Sequence, residues 1–247
     1  MNEPAPLLSI DGQRKAGMMT FSQYDRKELY ETNLKTKGPD WYWANRTVTY
    51  TRNKAGYRIA EGSWPIDAVL TFGCSYTFGE GVSDDETWPY QLSQIIKKPV
   101  LNLGQGGTSA QFIWANTINV ISSGYRPSAV VYYWPNHVRV CEFYNPYIVK
   151  NYGLWSDIKI DKLWAGWINN TKHSEVMRSK FKESCDLMWK PFNIPVLHYT
   201  WDRTVWSEVT HSNIQIDLAR DCLHPGPKTH GIFAQTVAQD LQKLSCN

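Results

Sequence analysis

Four short apolar runs, each stopped by a turn-forming residue and each followed by a stretch of helical periodicity, constrain this chain most. The runs cover 68–73, 100–103, 129–134 and 195–200, and they read as buried β-strands. After the first, Thr87 and Pro89 open a helix in which Trp88, Leu92, Ile95 and Ile96 repeat at helical spacing and which ends at Pro99. After the second, Ile113, Thr117, Val120 and Ile121 share one helical face, with Gly124 past its end. Helices are also expected over about 172–190 and 228–244, and a fifth, weaker strand within 212–218. Alternation of this kind calls for a parallel sheet covered by helices on both faces, and right-handed crossovers make a flavodoxin-like order the natural one. The expected fold is therefore α/β: a three-layer sandwich around a mostly parallel five-stranded sheet.

Flanking segments complete the expected organisation. Residues 1–52 read as an N-terminal extension, largely an extended arm, with a short helix near Ser22 to Glu31 and a strand over 47–51. The main domain spans 53–247 and carries an irregular, aromatic-rich insertion over about 138–170.

Composition excludes several functional classes. A net charge of +3 with no basic block gives no footprint for nucleic acid. No stretch approaches the roughly 18 uninterrupted apolar residues of a membrane span. The first residues, Met1 to Arg14, lack the apolar core of a signal peptide, so the expectation is a cytoplasmic chain, or one released without a recognisable signal. The five cysteines (Cys74, Cys141, Cys185, Cys222 and Cys246) include no Cys-x-x-Cys pair, which points to reduced thiols and no zinc site. With 12 Trp and 14 Tyr, the chain has aromatic faces to spare for stacking on sugar rings.

Chemistry-bearing residues fall at the carboxyl ends of the expected strands, where open α/β sheets bind ligands. Ser75 follows the 68–73 strand on a tight turn, the Gly106-Gly107 turn follows the second, and Asn136 with His137 follows the third. Asp221-Cys222-Leu223-His224 precedes the last helix. These types suit acyl transfer: Ser75 as nucleophile, His224 as base and Asp221 as the group fixing the imidazole. The backbone N–H groups of Ser75 and Gly107 and the Asn136 amide would form an oxyanion hole, with Gly106 as the alternative glycine. Tyr76, Trp134 and His137 are candidates to touch substrate. Metal binding by Asp221, His224 and His230, or a nucleophilic Cys74 or Cys222, are the competing readings. The 104–107 glycines lack the Gly-x-Gly-x-x-Gly spacing of a dinucleotide loop, and Thr77 breaks the Gly-x-Ser-x-Gly of an α/β-hydrolase elbow.

Gly73-Cys74-Ser75, Gly107, Asn136 and Asp221-x-x-His224 resemble, in order, the four blocks of the SGNH hydrolases, also called GDSL-type esterases. The flanks 72–82 and 102–107 are similar too, as is the segment 53–58 ahead of the first block. The resemblance spans about 53–244. It implies a cofactor-free serine esterase acting on a small ester or an acylated glycan, acetyl being the simplest acyl group. A sugar O-acyltransferase using the same residues, or a non-catalytic carbohydrate-binding or structural module, are the alternatives. Two positions depart from the family pattern. Cys74 replaces the usual aspartate before the serine, and Trp134-Pro135-Asn136-His137 replaces the usual Gly-x-Asn-Asp.

Overall fold

A computed structural model describes residues 8–9, 16–54, 56–59, 62, 64–137, 139–145, 148–153, 172–201, 209–212 and 215–245. The elements of the main domain, in chain order, are β4 (Val69–Gly73), α2 (Ser75–Phe78), α3 (Trp88–Ile96), β5 (Val100–Asn102), α4 (Ala110–Ser122), β6 (Ala129–Trp134), β7 (Val140–Asn145), β8 (Ile148–Tyr152), α5 (Lys172–Trp189), β9 (Val196–Thr200), β10 (Thr210–His211) and α6 (Pro227–Ser245). Before them come β1 (Leu8–Ser9), β2 (Gly17–Met19), α1 (Lys27–Lys37) and β3 (Tyr50–Arg52).

The central sheet runs β5-β4-β6-β9-β10 with every pair parallel, which is the expected flavodoxin-like order. Its core forms by strict alternation along β4 and β6. Leu70, Phe72, Val130, Tyr132 and Trp134 face one layer, where Ile113 and Val120 of α4 and Cys185 and Trp189 of α5 cover them. Val69, Val131 and Tyr133 face the other, under Trp88 and Leu92 of α3 and Phe233, Ala234 and Val237 of α6. Each large apolar side chain buried this way contributes roughly 1.5–3 kcal/mol. α3 begins at the expected Thr87, which accepts from the Tyr90 N–H, and α4 at Ser109, which accepts from the Phe112 N–H.

Two expected elements lie elsewhere. The fifth strand is Thr210–His211, paired with Tyr199 and Thr200, and not within 212–218, where Leu218 forms only an isolated bridge to Pro225. The first helix occupies Lys27–Lys37 instead of 22–31, since Ser22 accepts from the Asp25 N–H in a turn ahead of it. The 138–170 segment opens as an antiparallel hairpin, β7 with β8, to which β1 adds in parallel; residues 154–170 of that segment lie outside the described residues.

The N-terminal residues pack directly onto the loop that follows Ser75. Trp43, Val48 and Tyr50 form one buried cluster with Phe78, Val82 and Ala219. β2 pairs antiparallel with β3, which holds Tyr50 in that cluster. No helix among the described residues is long and apolar enough to cross a membrane.

Candidate active site

Ser75 stands where β4 gives way to the single turn of α2, and it is 2 % exposed. Gly73 allows that abrupt turn. A Cβ there would lie 2.0 Å from Thr77 Oγ1 and 3.0 Å from the Tyr133 carbonyl oxygen, so only glycine fits. The next segment is clamped by the buried Arg58, which donates to the carbonyls of Phe78, Gly79, Val82 and Thr49 and to Asp84 Oδ1 at 2.7–3.0 Å. One buried cation thus satisfies three backbone acceptors of a loop that has no ladder of its own, and ties it to Thr49 ahead of β3.

Asp221 and His224, the expected acid and base, sit in one tight turn. Asp221 Oδ1 accepts the N–H groups of Leu223 and His224, both at 3.0 Å, and Asp221 Oδ2 lies 2.5 Å from His224 Nδ1. Burial pushes the Asp221 carboxyl up. The hydrogen bond and charge of His224 and those two backbone donors outweigh it and hold the group below its ordinary value. An ionised carboxylate only accepts, so the imidazole proton is on Nδ1 and the Nε2 lone pair is left for another partner.

This turn is seated against the serine loop. The Arg220 N–H donates to the Gly81 carbonyl at 3.0 Å. Gly81 has φ +77, and a Cβ on it would meet Ala219 Cβ at 2.7 Å and the Asp221 nitrogen at 3.3 Å. The Tyr76 ring, next to Ser75 in the chain, meets the His224 ring edge-on at 5.6 Å between centroids. Ser75, Tyr76, Asp221 and His224 therefore share one edge of the sheet. The nucleophile–base hydrogen bond itself is not formed: the Ser75 hydroxyl contact is with Cys74 Sγ, at 4.0 Å.

The remaining candidates divide. Gly107 has φ +75, a left-handed turn suited to glycine, in the loop whose Gln105 N–H and Thr108 hydroxyl both donate to the Gly73 carbonyl. Gly106 turns toward Glu80 Oε1 and the Tyr24 ring, at 2.7 and 2.9 Å from its would-be Cβ. Asn136 and His137 line a cavity at the end of β6, where Asn136 Oδ1 is buried without a hydrogen-bond partner. Trp134 does not contact substrate space. Its ring is 0 % exposed, stacks on Tyr132 and His198, and donates Nε1–H to His198 Nδ1 at 2.9 Å. That nitrogen then carries no proton, and His198 Nε2–H donates to Asp186 at 2.6 Å. Trp134 is thus a core residue, and its expected role in touching substrate is withdrawn. The metal reading also loses a member: His230 is buried and uses Nδ1 to accept the Trp88 N–H at 3.1 Å. Among the described residues, no group of three or more His, Cys, Asp or Glu side chains is placed to hold a metal ion.

Two residues beside Ser75 escape a reading of the sequence by motif. Trp201 stacks on Tyr76 at 4.7 Å and 8°, and its Nε1 lies 3.4 Å from Cys74 Sγ. Arg139 holds its guanidinium over the Trp201 ring at 5.3 Å. Trp201 directly follows β9, so the strand-end rule that singled out Ser75 applies to it equally. Burial pushes the Tyr76 phenol up to about 12, so this wall stays neutral at physiological pH.

Fold and site together define an α/β sheet protein with a serine, a histidine–aspartate pair and an aromatic wall at the sheet's carboxyl edge. No family model and no curated protein matches the chain. Solved structures are similar to it in shape. TesA aligns with a TM-score of 0.48 at 11% identity, over 72% of this chain and 99% of its own. A member of the lipolytic protein G-D-S-L family from Veillonella parvula aligns with 0.36 at 16% identity, over 70% and 96%. A family two carbohydrate esterase from Cellvibrio japonicus aligns with 0.39 at 10% identity, over 75% and 63%. At these identities and scores the likenesses carry no argument about activity, which has to come from the residues of the site.

Proposed function

We propose that this chain is a serine ester hydrolase of the SGNH type, acting on an acyl ester, acetyl in the simplest case, carried by a carbohydrate. One observation carries the reading: a carboxylate-fixed imidazole, Asp221–His224, is locked through Gly81 against the loop that begins at a strand-end serine. Purely structural turns do not need a histidine whose tautomer is set from one side while its other nitrogen is left available.

In this reading His224 Nε2 takes the Ser75 hydroxyl proton as Oγ attacks the ester carbonyl carbon. The tetrahedral oxyanion is met by the backbone N–H groups of Ser75 and Gly107 and by the Asn136 amide, each worth on the order of 3 kcal/mol. As the C–O bond breaks, the leaving alkoxide collects the proton from Nε2. Water then repeats the sequence on the acyl-serine, releasing the acid and regenerating the Ser75 hydroxyl. Nucleophile–base hydrogen bonds of this kind commonly tighten only in the substrate complex, consistent with the Ser75 hydroxyl resting on Cys74. The Tyr76–Trp201 wall offers the flat apolar surface on which a sugar ring stacks.

A small activated acetate ester and a fluorophosphonate probe test this. Turnover and labelling are expected in the wild type, with both lost in Ser75→Ala and turnover lost in His224→Ala. Turnover that persists in both variants overturns the mechanism, and absence of both turnover and labelling in the wild type favours a binding module. Product analysis with an acceptor glycan distinguishes hydrolysis from acyl transfer.

A further inference from the structure

Glu80 is 2 % exposed and lies in the loop that follows Ser75. Its own N–H donates to the Ser75 carbonyl at 3.2 Å, which fixes its backbone relative to the proposed nucleophile. A carboxyl group is costly to bury unless something donates to it. The Ser22 hydroxyl does so, at Oε2, from the N-terminal segment. Ser22 Oγ itself accepts the N–H groups of Tyr24 and Asp25, at 3.3 and 3.0 Å, so its proton is directed to Glu80.

The other carboxyl oxygen lies against the Gly106-Gly107 turn. A Cβ on Gly106 would stand 2.7 Å from Glu80 Oε1 and 2.9 Å from the Tyr24 ring, so the backbone there is packed directly on both groups. Other bonds hold the loop on either side of this turn. Asn102 accepts the Gly104 N–H at 3.0 Å and donates to the Thr77 carbonyl at 2.9 Å. The Gln105 N–H and the Thr108 hydroxyl reach the Gly73 carbonyl at 3.1 and 3.4 Å. Glu80 and Tyr24 bear on the turn itself.

We propose that Glu80, held by Ser22, is a positioning residue for the oxyanion hole: it sets the Gly106-Gly107 turn so that the Gly107 N–H keeps its place relative to the Ser75 N–H. Its effect on catalysis rests on the ester-hydrolase reading above; the tie itself between Ser22, Glu80 and the turn does not. The two donors come from different loops, one after β4 and one after β5, and they stabilise an oxyanion only when their spacing is fixed in advance. A misplacement of about 1 Å can cost on the order of 100-fold in rate. Glu80 is bonded through its backbone to the first loop and packed through its side chain on the second. The turn that supplies Ser22 also carries Asp25, which pairs with Arg220 beside Asp221 at 2.7 Å. One N-terminal turn therefore reaches the nucleophile loop, the glycine turn and the acid–base turn.

The test uses the full chain, a small activated acetate ester, and the variants Ser22→Ala and Glu80→Ala. In both, kcat is expected to fall roughly 10- to 100-fold while KM changes by less than about threefold, because oxyanion contacts strengthen only as charge develops on the carbonyl oxygen. A residue serving stability alone would lower the melting temperature and leave kcat of the folded enzyme unchanged. Amide hydrogen exchange gives a readout independent of turnover. The Gly106 and Gly107 amides should exchange faster in both variants, by about 10-fold or more, with those of β4 and α4 unchanged. Should Glu80→Ala fail to fold, Ser22→Ala decides. Unchanged kcat, unchanged exchange at the turn, a rise in KM alone, or exchange that rises uniformly along the chain each overturn the positioning role and leave the esterase standing. If the wild type hydrolyses no ester, the esterase reading falls, and exchange at the turn alone decides whether Ser22 and Glu80 hold it.

Discussion

The Arg220 guanidinium and the Asp25 carboxylate meet at 2.7 Å with side chains 3 % and 0 % exposed, joining the N-terminal segment to the residue that precedes Asp221. Asp25 also accepts the Tyr50 hydroxyl at 2.5 Å, and that same hydroxyl accepts the Gly81 N–H at 2.8 Å. Arg220 donates in addition to the Thr20 carbonyl. The serine loop and the acid–base turn are thus held to each other partly through residues far ahead of both in sequence.

Removing one partner from this pair should cost much more than removing both. Asp25→Ala leaves a buried guanidinium uncompensated, and the expected loss is about 3–5 kcal/mol. The double variant Asp25→Leu with Arg220→Met removes both charges and should recover a large part of that loss. Urea denaturation of the single variant and the double variant reads the difference; equal midpoints for Asp25→Ala and wild type would contradict the buried pairing.

Gly81 is where the two site segments touch, and alanine there should separate them. Its φ of +77 is strained for any residue with a Cβ, and the added carbon would meet Ala219 Cβ at 2.7 Å and the Arg220 nitrogen at 3.0 Å. Strain and displacement together should cost about 1–3 kcal/mol. Because the displaced atoms belong to the turn that carries Asp221 and His224, ester turnover is expected to fall by more than the melting temperature alone would imply. Paired measurement of melting temperature and kcat/KM checks this.

How much of this arrangement the sequence reveals depends on the length of each signal. β4 and β6 announce themselves because burial on both faces forces continuous apolar runs, and β5 and β9 follow from their own short apolar runs; the carboxyl ends of β4, β5 and β6 precede Ser75, Gly107 and Asn136 without any tertiary information. β10 is only two exposed residues long, Thr210 and His211, so no periodicity marks it. α1 buries none of its residues and has no side-chain cap, which leaves its start unmarked. Trp134 was open to a better reading: it shares strand parity with Tyr132 and Val130, and that parity places it in the core layer facing α5. Trp201 follows a strand end and was open to the same rule as Ser75, although its stacking on Tyr76 is a tertiary contact. Arg139 needed the fold, because it lies in a segment whose pattern is irregular and its place over the Trp201 ring comes from packing.

Acid should destabilise the protein well before its carboxylates protonate, because of a histidine outside the proposed machinery. Burial holds the His230 imidazole down to about 3, with Arg58 and His224 adding to the effect and Asp217 opposing it. Burial likewise lowers His198 against the pull of Asp186. An unfolded histidine titrates near 6.5, so between about pH 6.5 and 3 the unfolded chain binds protons that the folded chain refuses. Stability is therefore expected to be level above about pH 6.5 and to fall as the pH drops through that window. The His230 contribution is roughly 3–5 kcal/mol when complete. His230→Asn keeps an acceptor for the Trp88 N–H but no titrating ring. Melting temperatures from pH 8 to pH 4 should fall less steeply in this variant, and identical slopes would contradict the assignment.

Asp221→Asn isolates the carboxylate's chemical role from its structural one. The asparagine oxygen can still accept the Leu223 and His224 N–H groups, so the turn keeps its shape and the melting temperature should change little. The amide nitrogen, however, then faces His224 Nδ1, where the carboxylate oxygen stood at 2.5 Å. A donor in that place favours the tautomer with its proton on Nε2, which removes the lone pair that must take the Ser75 proton. Ester turnover is expected to fall by on the order of 10³- to 10⁴-fold while the fold persists. Fluorophosphonate labelling of Ser75, which depends on the same proton transfer, should slow in parallel. A variant that labels and turns over at wild-type rates would show that Asp221 serves only to shape the turn, and the acid of the proposed triad would have to be sought elsewhere.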